Sequence, residues 1–120
     1  MVKTVITDNK GIVQHGGQTG FQIENAVYTN GSTITAAASA AQLGSAMIQL
    51  VDSADNAHTV KMPLAEGAGQ VIIVCNVDST QSAVIRNNAD DANLATATAG
   101  ASVFLVSSAA GDNWSAHLSI

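Results

Sequence analysis

Aromatic residues are scarce in this chain of 120 residues, which has two Phe, one Tyr and one Trp. Hydrophobic residues nevertheless make up 47% of the sequence, and most of them are Ala and Val. A core built from such small side chains is thin, and a thin core in a small domain suggests that apolar surface is buried against another subunit. We therefore expect the chain to associate with itself.

Cysteine and proline each occur once, as Cys75 and Pro63. A single cysteine excludes an intramolecular disulfide. Cys75 ends an apolar run, so we expect a buried and inert thiol rather than a nucleophile.

Positive charge is also rare, with four Lys and Arg against nine Asp and Glu, for a net charge of −5. This balance disfavours nucleic acid and anionic membranes as partners, because both attract clusters of basic residues. The N-terminus lacks the basic and then apolar pattern of a signal peptide, and no segment approaches the ~20 apolar residues of a membrane span. We expect synthesis in the cytoplasm.

The sequence contains no G-x-S-x-G or H-E-x-x-H motif, and His15, His58 and His117 do not have the spacing of metal ligands. A Gly-rich loop from His15 to Gly20 lacks the Lys-Ser/Thr ending of a phosphate-binding loop. We therefore expect no catalytic residues, no cofactor and no metal.

The loop from Asp52 to Asn56 carries two aspartates. Its spacing differs from that of a calcium-binding loop and is typical of an Asx-rich turn, although calcium binding by the acidic loops stays open.

The run from Val71 to Cys75 has no polar alternation, so it predicts a strand that is covered on both faces and lies at the centre of the domain. A strand from His58 to Met62 and a turn from Pro63 to Gly69 precede it. A second nearly continuous apolar strand is expected from Ala101 to Ser107.

A hairpin is predicted around Asn30-Gly31, the preferred pair for a type I′ turn, with strands Phe21–Thr29 and Ser32–Ala38. Between Thr35 and Met47 the many alanines favour helix, and we expect one helical turn near Ala37 to Leu43.

The whole pattern predicts about nine or ten short strands, typical of an all-β antiparallel β-sandwich, jelly-roll-like or partly closed into a barrel. Residues 1–20 form an N-terminal arm and residues 21–120 a single β-sandwich domain. The expected core residues are Ile23, Val27, Ile34, Val71, Ile73, Cys75, Val103, Leu105 and Trp114. The indole N–H of Trp114 should find a hydrogen-bond acceptor near the rim.

Five segments occur in a characteristic order: T-I-T-A-A (Thr33–Ala37), I-Q-L-V-D (Ile48–Asp52), T-V-K-M-P-L-A-E-G-A-G (Thr59–Gly69), A-S-V-F-L-V (Ala101–Val106) and G-D-N-W (Gly111–Trp114). This succession resembles a β module found in virion proteins of tailed bacteriophages, over roughly residues 32–115. In that group the turn has the form Leu-Pro-Ala-Ala. Met62 and Leu64 replace its Leu and first Ala, and both changes keep the positions apolar.

The resemblance implies a capsid decoration, or cement, protein that binds the outside of a phage head and reinforces the shell. Its partners would be the major capsid protein and further copies of itself, a homotrimer being expected before a homodimer. The β-prone arm can add strands to a neighbouring sheet, so the expected contacts are Val2, Val5, Ile6, Ile12 and Val13. A tail-fibre or tail-spike module and a non-viral carbohydrate- or ligand-binding sandwich are the alternatives.

Overall fold

The computed structural model describes residues 4–5, 13–14 and 33–119, with side-chain burial for residues 33–117. The strands in these ranges are β1 (Thr4–Val5), β2 (Val13–Gln14), β3 (Ile34–Ala36), β4 (Ala41–Gln42), β5 (Ile48–Ser53), β6 (Thr59–Lys61), β7 (Val71–Asn76), β8 (Ala83–Arg86), β9 (Asn93–Ala97), β10 (Ser102–Ser107) and β11 (Trp114–Ser119). This part of the chain contains no helix, and the all-β prediction is confirmed for it.

Nine of these strands form two mixed sheets. The five-stranded sheet has the order β11-β10-β7-β5-β3, and the four-stranded sheet has the order β4-β6-β8-β9. Strand β7 therefore lies at the centre of the larger sheet, as its apolar sequence predicts. Within the described ranges the strands do not close into a barrel.

The purely antiparallel pairing expected from the sequence is wrong for the first half of the domain. From β3 to β8, successive strands alternate between the two sheets. The chain therefore forms one strand of the other sheet before it forms the next strand of the same sheet. Such a path makes neighbouring strands parallel, as seen for β3–β5–β7 and for β4–β6–β8. The remaining strands, β9 to β11, pair antiparallel.

The helical turn expected near Ala37 to Leu43 is also absent, because strand pairing overrides the helix propensity of alanine. Ala37 exchanges two backbone hydrogen bonds with Thr59, at 2.8 and 3.1 Å. The amide of Leu43 donates to the oxygen of Lys61 across 2.9 Å, and Leu43 is buried in the core.

Buried side chains from both sheets form a single hydrophobic cluster. Its members are Ala36, Leu43, Val51, Val60, Met62, Ala65, Ile72, Val74, Ala83, Ile85, Ala97, Val103, Leu105 and Trp114. The two sheets therefore share one core, and most of its side chains are small, as the composition predicts.

The predicted core residues that the structure describes separate into two groups. Val103, Leu105 and Trp114 belong to the buried cluster, and Ile34 packs against it. Val71, Ile73 and Cys75 require a correction, because strand alternation turns them to the opposite side of β7, where they are half-buried. Ile72, Val74 and Asn76 occupy the inner side instead. The other two predicted core residues, Ile23 and Val27, lie outside the described residues, as does most of the predicted hairpin around Asn30-Gly31.

Candidate interaction face

The side of the five-stranded sheet that faces away from the core is apolar in the middle of its three central strands, and Asp52 and Ser102 lie on the same side at the margin. It carries Ile48, Leu50, Val71, Ile73, Cys75, Phe104 and Val106, all half-buried, which we call the apolar outer face. Strand register places Ile48, Ile73 and Phe104 side by side across three neighbouring strands. Val71 and Val106 are paired beside them. The result is one continuous apolar patch centred on β7.

Charge is nearly absent from this patch. Strands β5, β7 and β10 together contain one charged residue, Asp52, which lies near the end of β5. An apolar area on the outer side of a sheet is a candidate surface for contact with another macromolecule.

The outward side of the four-stranded sheet is different in character. Gln42, Lys61 and Arg86 lie side by side across strands β4, β6 and β8. The Arg86 guanidinium donates to Asn93 Oδ1 across 3.0 Å and forms an ion pair with Asp90 at 2.5 Å. The domain therefore has one polar and one apolar sheet face.

Asn76 anchors the C-terminal end of β7. Its side chain is 3% exposed, and Nδ2 donates to the backbone oxygens of Gln81 and Ala97 at 2.8 and 2.9 Å. Its Oδ1 accepts the amide of Asp78 at 3.1 Å. One buried amide thus joins the end of β7 to the loop that follows it and to the neighbouring sheet.

Ser107 anchors the start of β7. The backbone amide of Gln70 donates to Ser107 Oγ at 2.9 Å, and that hydroxyl donates to the oxygen of Gly67. In the same crossover, Ala65 and Gly111 exchange backbone hydrogen bonds of 2.8 and 2.9 Å. Gly111 has a φ of +91°, a conformation that glycine adopts without strain. Hydrogen bonds therefore fix β7 at both ends, and β7 is the central strand of the apolar outer face.

The acidic loops use their carboxylates to bind backbone amides. Asp55 Oδ1 accepts from the amide of Ala57 at 2.8 Å, which is the Asx turn predicted for this loop. Hydrogen bonds from the backbone amides of Gln81 and Thr80 hold the pKa of the Asp78 carboxyl below its usual range. Within the described residues, no cluster of three or more His, Cys, Asp or Glu side chains could hold a metal ion.

The predicted contact residues of the arm are described only in part. Val5 and Val13 are opposite each other in the antiparallel pair β1–β2. Val2, Ile6 and Ile12 lie outside the described residues, and so does His15. The structure places His58 immediately before β6 and His117 at an exposed position of β11.

The sequence analysis did not assign Phe104 and Val106 to an outward surface, although the sequence contains a signal for one. The apolar runs of β7 and β10 lack alternation, and a strand that is apolar on both sides needs cover on both sides. In the structure, the core covers β7 and β10 on one side only.

Comparison of the chain with protein-family models, curated proteins and solved structures gives no match in any of the three. In the described part of the chain, no helix has the length and apolar character needed to cross a membrane.

Proposed function

We propose that this chain is a non-enzymatic structural protein of a tailed-bacteriophage virion, a capsid decoration protein that binds the outside of the head and stabilises the shell. The observation that carries this proposal is the apolar outer face. It offers an apolar surface for macromolecular contact and is centred on β7, whose first five residues are all apolar. The two sheets pack as a sandwich that presents this face outward.

Two further features support the proposal. The segments that resemble the phage module include the Thr59–Gly69 crossover, and this stretch connects the two sheets and leads into β7. The net charge of −5 suits a position outside the shell, because packaged DNA repels an acidic protein.

The N-terminal arm is the proposed contact with the major capsid protein. Its two short strands pair with each other through Thr4–Gln14 and Val5–Val13. A short antiparallel strand pair of this kind can extend the edge of a neighbouring sheet, where backbone hydrogen bonds provide affinity.

Co-sedimentation with phage heads that lack the chain tests the proposal. The wild-type chain should pellet with the heads and raise the temperature at which they release DNA. Val5→Asp and Val13→Asp should weaken both effects, because each places a charge on the arm. Val77→Asp is the matched control, since Val77 is a loop residue that is 52% exposed. Failure of the wild-type chain to bind heads would reject the decoration role.

A further inference from the structure

We draw no further inference here: the strongest candidate, the apolar outer face of the five-stranded sheet, lies on three strands only, is already half-buried in the single chain and shares its side with Asp52, and nothing in the structure shows what covers it.

Discussion

The indole nitrogen of Trp114 donates a hydrogen bond to the backbone oxygen of Pro63 across 2.7 Å. The two residues are 51 positions apart, and the bond ties the start of β11 to the crossover that leads into β7. Trp114 is 6% exposed, so its ring fills the core while its polar atom reaches the rim. This is the role that the sequence predicts for the single tryptophan.

Trp114→Phe should lower the free energy of unfolding by about 2 kcal/mol, because it removes both ring volume from the core and the hydrogen bond to Pro63. Chemical denaturation followed by circular dichroism measures the change. Val77→Ala, at an exposed loop position, should stay within about 0.5 kcal/mol of wild type. Equal midpoints for Trp114→Phe and wild type would show that the bond does not stabilise the crossover.

Asn76→Ala should cost about 3 kcal/mol of stability, because it removes the donor to a buried backbone oxygen at Ala97 and to a partly buried one at Gln81. Asn56→Ala is the matched control. Asn56 Oδ1 accepts the amide of Ser82 at an exposed position, where water can replace it, so the cost should be about 0.5 kcal/mol. Similar unfolding midpoints for the two variants would contradict the anchoring role of Asn76.

Acid should destabilise the wild-type chain more than an Asp78→Asn variant. The pKa of Asp78 is lowered by hydrogen bonds from the amides of Gln81 and Thr80. Its charged form therefore contributes stability above the unfolded pKa of about 3.9, and this contribution is lost as the pH falls through the lower folded value. Unfolding measured from neutral to acid pH should show a shallower loss for Asp78→Asn, while Ser79→Ala follows wild type. Parallel profiles for all three chains would rule out the contribution of Asp78.

Ile72 and Ile73 are adjacent in sequence but differ in burial, and this difference predicts unequal losses of stability on truncation. Ile72 is fully buried, so Ile72→Ala should cost about 2–5 kcal/mol. Ile73→Ala removes the same atoms from the half-buried outer side and should cost about 1 kcal/mol or less. Thermal unfolding at low protein concentration makes the comparison. A larger loss for Ile73→Ala would mean that the two faces of β7 have been exchanged.

The position of β7 could be predicted from sequence, whereas the direction of its side chains could not. An uninterrupted apolar run identifies a central strand, but Val71 to Cys75 is apolar at every position, so periodicity cannot distinguish Ile72 from Ile73. The burial of Asn76 and the presence of one core shared by both sheets decide which side faces inward.

The direction of strand pairing was harder to predict from the sequence, for a different reason. Short strands separated by turns favour antiparallel neighbours, and β9 to β11 follow that rule. Strands β6 and β7 are close in sequence yet belong to different sheets, because the intervening crossover is held by distant partners. Gly111 and Trp114 supply those contacts, and no local signal around Pro63 reveals them.

Electron cryomicroscopy of phage heads, with and without the bound chain, tests the decoration role most directly. We expect additional density at symmetric positions on the outer surface of the head, continuous with the major capsid protein, in heads that carry the chain. This density should be absent from heads prepared without it. Density confined to the tail or to the inside of the shell, or identical maps for the two preparations, would contradict the proposed function.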